Sequence, residues 1–528
     1  MTNTPLSVWL VTREYAGIAE AGGVKNVACS LAEGLARTGV SVTVFIPRYG
    51  CVRQSGNHEF TTTVTVLGVE HRVAFLSATL HGISLVFINS PIFFEKDEVY
   101  VYTDREARMI HGAVRGQGHS DMDCMNLVHQ RSVLEYARII SAAPDIVHCQ
   151  DAHTALLPAL ARTDPAYRPL FARSAFAVTI HNAGPGYRQI IPGLDRAASL
   201  TGLNPDVLVP GMSNGNLEPF LLAADHAHLT TVSPWYAGEL TSHQYSAMTE
   251  GLSGEFEKRG VHITGIVNGI DYHRYDPLNT EYSCLPFAFN PLVGDLEGKY
   301  RARALFTEQL DRLVEQSGLA CHGSLSTTEN NVYFTYQGRI VWQKGLDLFV
   351  AAAREVLERM PRARFIVLGQ GDPALEEALK QTAVNYPGSF LFLHGYERAL
   401  ARLSVAVADF LVLPSRFEPC GLEDYIGQIF ATLPVANAVG GLQKIRNGEN
   451  GFLYYTGFSG NPATILADRL VDLAEPVIAS GGIGAASVPD YYRMIIYAAS
   501  HVQADNNWDA IIRDHYLPFY HDIISTMC

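Results

Sequence analysis

The chain has 528 residues, of which 48% are hydrophobic and 17% are charged, which excludes an intrinsically disordered protein. Its length corresponds to about three or four ordinary domains, or to two large ones. The 53 acidic and 39 basic residues give a net charge of −14 and form no basic block, so a nucleic-acid partner is not expected.

The N-terminal sequence and the pattern of cysteines favour a cytoplasmic protein. The N-terminal sequence has neither a basic segment nor a small-residue cleavage site. No apolar stretch reaches the roughly 18 residues that a membrane span needs, so no membrane partner is expected. The eight cysteines are scattered without metal-type spacing, and we expect free thiols and no metal site.

The first half of the chain opens with a strand, a helix and a strand. Ser7–Thr12 and Ser41–Pro47 are β-rich, and Val24–Arg37 carries apolar residues at helical spacing. This order predicts a parallel βαβ unit. The Pro-, Gly- and Asn-rich stretch Gly184–Gly215 predicts loops or short helices. Further strands are predicted at Thr61–Val66 and Val73–Leu80, as an antiparallel pair, and at Ile83–Ile88, Asp145–His148 and Phe176–Ile180.

A second alternating series begins near Val332, so the chain is predicted to contain two doubly wound α/β units with a seam near Asn268–Pro277. A linker rich in Gly, Ala and Ser, Ala479–Pro489, precedes a last helical region, Tyr491–Ile524. The predicted strands are Val332–Gln337, Arg364–Leu368, Phe390–Leu393, Phe410–Leu413 and Pro434–Ala436. The predicted helices are Gly345–Met360, Ala374–Tyr386, Arg398–Val407 and Leu422–Phe430.

Polar or glycine-rich loops follow three predicted strands of the first half. Gly22 and Gly23 precede a helix, where a backbone without side chains can closely approach a phosphate or a sugar. The alternative is that they form a simple tight turn. His153 and Asn182 follow strand ends, where they can contact a substrate or act as ordinary loop residues. His148 and His153 lie five residues apart without a third ligand, which disfavours a metal site.

Two motifs of the second half carry charged candidates. Arg339 follows a strand and Lys344 precedes an amphipathic helix, so the two cations could hold a diphosphate without a metal. A surface pair of cations is the alternative. Glu418, in SRFEPCGL, could accept hydrogen bonds from sugar hydroxyls, act as a general base, or only favour the N-terminus of the following helix.

Together these motifs resemble the glycogen/starch synthase family of retaining glycosyltransferases, most closely its bacterial members. The resemblance implies a GT-B fold, that is, two Rossmann-like doubly wound α/β domains facing a central cleft. It implies an acceptor-side domain over 1–268, on which C-terminal helices of about 505–528 pack back, and a nucleotide-sugar domain over 269–504. The matching stretches run in family order as EAGGVKNV, HCQDAHTALLPAL, VTIHN, TTVSPWYAGEL, GRIVWQKGLDL and LPSRFEPCGLEDY.

The same resemblance implies roles for individual residues. Arg339 and Lys344 would hold the donor diphosphate, Glu418 would contact the donor sugar hydroxyls, and His153 would lie at the 6-hydroxyl side of the sugar. Gly440-Gly441-Leu442 would offer backbone N–H groups. The implied donor-binding set is Gly22, Gly23, Asn182, Gly338, Cys420, Gly421, Leu422, Gly440, Gly441 and Leu442.

The implied activity is retaining transfer of glucose from a nucleotide diphosphate glucose to the non-reducing end of an α-1,4-glucan such as glycogen. ADP-glucose is favoured as the donor, UDP-glucose is a second possibility, and no cofactor is expected. A related retaining glycosyltransferase with a small acceptor or another donor is an alternative. A non-catalytic glucan-binding regulator is a third reading.

Three departures from the family pattern keep these alternatives open. Glu20 stands where bacterial and plant members carry the lysine of a Lys-x-Gly-Gly loop, and Lys25 could compensate for it. Glu218 aligns near a second lysine of the family. Residues Asn437–Val439 lack an arginine often found before the Gly440 loop. The first two changes remove positive charge where an anionic donor is expected.

Overall fold

A computed structural model describes residues 5–326, 330–456, 460–483 and 487–527. The chain divides into two compact units. The first unit comprises Met1–Asn268 and Ile511–Cys528, and the second comprises Gly269–Ala510. Each unit is an α/β domain built on its own sheet.

The first unit is built on a nine-stranded sheet in the order β12-β11-β7-β6-β1-β2-β5-β4-β3. Neighbouring strands are parallel except for β3 with β4 and β4 with β5. Three two-residue strands, β8–β10, form a separate small sheet. The strands are β1 Ser7–Val11, β2 Ser41–Pro47, β3 Asn57–Val66, β4 Val69–Leu80, β5 Ile83–Asn89, β6 Ile146–Gln150, β7 Ala175–Ile180, β8 Ile191–Pro192, β9 Met212–Ser213, β10 Asn216–Leu217, β11 His228–Thr231 and β12 Ile263–Gly265.

Helices connect the parallel strands of this sheet, except that β2 to β5 follow one another along the chain without an intervening helix. The amphipathic helix Val24–Arg37 buries Val27, Leu31 and Leu35, which its helical spacing places on one face. The helices of this part of the chain are α1 Val24–Arg37, α2 Pro91–Phe94, α3 Asp104–Met109, α4 Met122–Ile140, α5 Leu157–Thr163, α6 Leu194–Thr201, α7 Pro205–Leu208, α8 Pro219–Ala224, α9 Pro234–Leu240 and α10 Leu252–Arg259.

The second unit is built on a seven-stranded sheet in the order β13-β16-β15-β14-β17-β18-β19. Only β13 runs antiparallel to its neighbour β16. Its strands are β13 Ala320–Gly323, β14 Val332–Gln337, β15 Ala363–Gly369, β16 Phe390–His394, β17 Phe410–Leu413, β18 Leu433–Asn437 and β19 Phe452–Tyr454. The remaining helices are α11 Thr280–Ser283, α12 Glu297–Glu308, α13 Leu310–Ser317, α14 Leu346–Arg359, α15 Pro373–Asn385, α16 Arg398–Ala406, α17 Glu423–Ile429, α18 Pro462–Ser480, α19 Pro489–Asp505, α20 Trp508–Ile511 and α21 Leu517–Ser525.

The end of the chain packs on the first unit. A π-helical turn, Ile512–Tyr516, leads into α21. The hydroxyl of Tyr520 on α21 lies 2.8 Å from Nδ1 of His148, which is fully buried on β6. A buried polar contact of this kind fixes how the last helix sits on the sheet of this unit.

In both sheets the chain reverses its winding direction beside a central parallel strand. In the first unit the reversal lies between β1 and β6, and in the second between β14 and β17. Ligands of open α/β sheets bind beyond the carboxyl ends of strands at such points. The loops that follow β1, β6, β14 and β17 are the ones that carry the glycine, histidine, cation and carboxylate motifs.

The predicted strands and helices are confirmed, mostly within one or two residues at each end. The exceptions are β3 and β4, each of which begins four residues before its predicted start. Sequence patterns did not reveal β8–β13 and β19, which are short, or several helices, the longest of which are α4, with its mixed polar sequence, and α18. The predicted linker Ala479–Pro489 overlaps the end of α18, and its central part, 484–486, lies outside the described residues.

Candidate active site

Two motif loops of the second unit interlock. The loop after β14 carries Lys344 and Gly345, and the loop after β17 runs from Pro414 to Leu422. Gly345 has φ +71°, and a Cβ built there would lie 2.0 Å from the carbonyl oxygen of Pro414, so only glycine permits this approach. The Arg416 N–H donates to the Gln343 carbonyl over 2.9 Å, which ties the two loops together.

The interlocked loops bring Lys344 and Glu418 into contact. The Lys344 ammonium donates to Oε2 of Glu418 over 2.5 Å, and the Ser415 hydroxyl donates to the same oxygen over 3.0 Å. Burial opposes the charge of Lys344, but the carboxylates of Glu418 and Glu423 outweigh it and raise the pKa of the lysine. The site therefore holds a lysine that remains charged at neutral pH, in contact with a carboxylate group.

Arg339 completes the cationic part of the loop. Its side chain is exposed, and among the described residues its guanidinium makes no hydrogen bond or ion pair. Its backbone is held, because the Tyr336 hydroxyl donates to the Arg339 carbonyl over 2.7 Å. Gly338, just before it, has φ +147° and donates its N–H to the Leu368 carbonyl. An exposed cation on a fixed backbone is available to an anionic ligand.

Two of the three N–H groups that the Gly440–Leu442 segment was expected to offer are used within the protein. The Gly441 N–H donates to the Glu418 carbonyl and the Leu442 N–H donates to the Val439 carbonyl, which corrects the expectation for these two groups. Gly441 also serves close packing, since a Cβ there would lie 2.4 Å from Cα of Cys420. The segment thus supports the loop of Glu418, Cys420, Gly421 and Leu422.

A second carboxylate near Lys344, that of Glu423, was not predicted as a site residue from the sequence. Glu423 begins α17 and accepts the Leu422 N–H over 3.2 Å. Burial would raise its pKa, but Lys344 and backbone hydrogen bonds hold the pKa below its ordinary value. Its position two residues after Gly421 gave no signal, because acidic residues are common at the start of helices.

In the first unit, Glu14 organises the glycine loop after β1. Its carboxylate accepts the Gly22 N–H, and also the Ala21 N–H over 3.3 Å. A Cβ at Gly22 would lie 3.1 Å from Glu14, whereas a Cβ at Gly23 would meet nothing within 4 Å. Gly22 therefore packs closely against the Glu14 carboxylate, and Gly23 leaves open space at the start of α1. Glu14 was missed because nothing beside it in the sequence marks its contact with this loop.

The charge of Glu20 is compensated locally. Lys25 bends back from α1, and its ammonium lies 3.2 Å from Oε2 of Glu20. The other oxygen of Glu20 accepts the Gly17 N–H over 2.7 Å. Lys25 therefore neutralises Glu20 and adds no net positive charge to the loop.

His153 lies buried in the 3-10 turn that follows β6. Its ring stacks on Tyr100, with centroids 4.9 Å apart and planes inclined by 29°. Burial, helped by Arg13 and His129, lowers the pKa of His153 well below its ordinary value, so the imidazole is neutral and suited to hydrogen bonding with a hydroxyl. Tyr100 was not among the predicted site residues.

Asp151 shapes the turn that presents His153. It has φ +65°, which is unusual for a residue other than glycine. Its carboxylate accepts the His181 N–H over 3.3 Å, and backbone N–H groups of Asn182 and Ala152 also contact it. Asp151 thereby joins the turn after β6 to the end of β7. Asn182 itself accepts the Gly184 N–H over 2.8 Å in a local turn.

Replacing Asp151 with asparagine should change how stability depends on pH. Burial raises the pKa of Asp151 to about 8, against an ordinary value of 3.8. The folded chain therefore retains a proton that the unfolded chain has lost, and this contribution to stability falls as the pH rises from about 4 to about 8. The free energy of unfolding, measured by urea denaturation, should show this fall for the unmodified chain relative to Asp151→Asn. A constant difference across this range would contradict the assignment.

Glu218, which aligns near a second lysine of the family, has its side chain buried against Arg188. A guanidinium nitrogen of Arg188 lies 2.6 Å from Oε2 of Glu218, and Arg188 also donates to the carbonyls of Thr249 and Glu250. Glu218 is thus half of an internal ion pair that holds a loop.

Within the described ranges, no three His, Cys, Asp or Glu side chains gather as a metal site. No helix in the same part of the chain combines the length and the apolar character that crossing a bilayer requires.

Two doubly wound units with glycine-rich, cationic and carboxylate loops at their switch points define a glycosyltransferase of the GT-B class. The fold matches the structure of the catalytic domain of starch synthase IV from Arabidopsis thaliana bound to ADP and acarbose. That match has a TM-score of 0.74 at 23% identity and covers 99% of this chain and all of the other.

The sequence comparisons identify the family. The profile described as the starch synthase catalytic domain matches residues 7–255, and the one described as glycosyl transferases group 1 matches 331–475. Glycogen synthases of Aeromonas salmonicida and Thermodesulfovibrio yellowstonii are each 28% identical to this chain. The matches cover 84% of this chain and of the first relative, and 88% of this chain and 90% of the second. The chain belongs to the glycogen/starch synthase family of glycosyltransferases.

Proposed function

We propose that this chain is a glycogen synthase that transfers glucose from ADP-glucose to the non-reducing end of an α-1,4-glucan, with retention of configuration, in the cytoplasm. The observation that carries the proposal is the pair of interlocked loops that sets Lys344 beside Glu418 over 2.5 Å. In this proposal the first unit binds the acceptor and the second binds the nucleotide sugar.

The charges of the second unit suit this reaction. When the bond between the anomeric carbon and the diphosphate breaks, negative charge develops on the diphosphate and positive character on the sugar. Lys344 and Arg339 would stabilise the leaving diphosphate, and Glu418 would accept hydrogen bonds from the sugar hydroxyls. Because the interlocked loops hold Lys344 and Glu418 before the reaction, little reorganisation of these two groups accompanies the charge separation.

Retention follows if the acceptor hydroxyl enters on the face from which the diphosphate departs. In that step the acceptor oxygen bonds to the anomeric carbon, the bond to the diphosphate oxygen breaks, and the diphosphate takes the hydroxyl proton. Neutral His153 would accept or donate a hydrogen bond at the 6-hydroxyl without competing for this proton. Asn182, at the end of β7, would contact the same side of the donor.

ADP-glucose is the preferred donor for two reasons. The glycogen synthases to which the chain is similar are bacterial, and the matched plant starch synthase structure holds ADP. The test is to incubate the protein with ADP-glucose or UDP-glucose, with and without glycogen, and to measure release of the nucleotide diphosphate. We expect glycogen-dependent release that is faster with ADP-glucose. Absence of such release with both donors would reject the proposal.

A related glycosyltransferase with a small acceptor is the second candidate, favoured by the neutral Glu20–Lys25 pair in the loop where the family carries a lysine. Mass spectrometry of products from a panel of monosaccharide and glucan acceptors separates the two. Preference for a monosaccharide over glycogen would favour this candidate. Robust turnover with any acceptor would exclude the third reading, a non-catalytic glucan-binding regulator.

Replacing Glu20 with lysine should lower the KM for ADP-glucose about threefold to tenfold, because the substitution adds two units of positive charge near an anionic donor. The effect should shrink between 50 and 300 mM salt, since the loop is partly exposed and its charges are screened. Glu20→Gln, which adds one unit, is the control and should give an intermediate KM. An unchanged KM in both variants at low salt would place this loop away from the donor.

A further inference from the structure

Lys444, a buried lysine outside the predicted site, joins the loop of Glu418 to the Gly440–Leu442 segment. Lys444 lies two residues after Leu442, at the end of the 3-10 turn Gly440–Lys444. Its side chain is only 6% exposed. A lysine is seldom buried without a specific set of acceptors, because removing its charge from water is costly.

Lys444 uses its three ammonium hydrogens on three backbone carbonyls. It donates to Cys420 over 2.7 Å, to Gly421 over 2.9 Å and to Gly441 over 3.3 Å. Two of these carbonyls belong to the loop of Glu418, and the third belongs to the Gly440–Leu442 segment. Asp424, which is fully buried, lies 2.9 Å from the same ammonium and balances its charge.

This arrangement orients the peptides of the Glu418 loop. A trans peptide carries its C=O and N–H on opposite sides, so carbonyls turned toward Lys444 direct the following N–H groups away from it. Gly421 lies between the side chains of Lys444 and Glu418, because a Cβ there would lie 3.6 Å from Nζ of Lys444 and 3.3 Å from Cγ of Glu418. Any shift of the ammonium is therefore transmitted to the loop that carries the carboxylate.

We propose that Lys444 is a positioning residue for the donor, whose ammonium ties the Cys420–Leu422 loop to the Gly440–Leu442 segment and so fixes the position of Glu418. The inference rests on the proposed function, in which this loop meets the nucleotide diphosphate glucose. No local pattern in the sequence marked Lys444, since its acceptors are backbone carbonyls up to 24 residues away.

The test compares Lys444→Met with Lys299→Met in the full chain. Lys299 is a lysine of the second unit that is buried even more completely and donates to the carbonyls of Ala406, Ala408 and Phe430, away from the donor loops. Both substitutions leave buried carbonyls unpaired, so both should lower the melting temperature. Only Lys444→Met should weaken ADP binding, measured by calorimetry, and raise the KM for the donor, each by about tenfold or more.

Equal ADP affinities of Lys444→Met and the unmodified chain would overturn the inference, and so would an equal loss of affinity in Lys299→Met. If Lys444→Met does not fold, the ADP affinity of Lys444→Arg is the test of the inference. The longer guanidinium should displace the loop and weaken ADP binding at least about threefold, and an unchanged affinity would overturn the inference. Failure of the unmodified chain to bind ADP or UDP would instead contradict the proposed function.

Discussion

Replacing Lys344 with alanine should lower the turnover of glucosyl transfer about 10²–10³-fold, the largest effect that we expect from a single substitution. The lysine sits on the interlocked loops and contacts Glu418 over 2.5 Å, so its charge is held in place before the donor arrives. Removing it deletes the cation that stabilises the leaving diphosphate. The measurement is the initial rate of ADP release with glycogen at saturating ADP-glucose.

The matched control is Lys258→Ala, which removes the same charge from a lysine whose side chain is 77% exposed. Its turnover should stay within about twofold of the unmodified chain, because exposed ion pairs contribute little. Thermal unfolding of both variants checks that the loss does not come from misfolding. Turnover of a folded Lys344→Ala within threefold of the unmodified chain would reject the role of Lys344 at the diphosphate.

Replacing Glu418 with glutamine should lower turnover about 10²-fold, through two losses. The amide cannot balance the charge of Lys344, and it is a weaker acceptor for the sugar hydroxyls. The Ser415 hydroxyl, which donates to the same carboxylate oxygen, also loses a charged acceptor. The substitution preserves shape, so kcat should fall more than the thermal stability does.

Glu423→Gln is the comparison for Glu418→Gln, because it makes the same change five residues further along. Glu423 influences Lys344 through its charge, but its hydrogen bond is with the Leu422 N–H. We therefore expect Glu423→Gln to lose less than about tenfold in turnover. A larger loss for Glu423→Gln than for Glu418→Gln would mean that Glu423, and not Glu418, is the carboxylate that serves the sugar.

Local sequence patterns predict the scaffold well, because periodicity reports which face of an element is buried. The helix Val24–Arg37 and the strands Ser41–Pro47 and Val332–Gln337 have the bounds that their patterns predict. Arg339, Lys344 and Glu418 could also be singled out as candidates, because each stands in a distinctive motif after a buried strand. Such patterns span only a few residues, so they can identify a loop that directly follows a predicted strand.

Contacts between distant residues were beyond such patterns. Glu14, Tyr100 and Lys444 take their roles from the Gly22 N–H, the His153 ring and the Cys420 carbonyl, and only the fold brings these groups together. The same holds for Glu218, whose buried contact with Arg188, 30 residues away, has no signature in the local sequence.

The most direct test of the central claim is to follow glucose itself. The protein is incubated with ADP-glucose labelled with ¹³C at the anomeric carbon and with glycogen, and the product is examined by NMR. We expect the label to appear as α-1,4-linked glucosyl units at non-reducing ends, released as labelled maltose by β-amylase. Label found in free glucose, in a β-linkage or on a small acceptor in preference to glycogen would contradict the account.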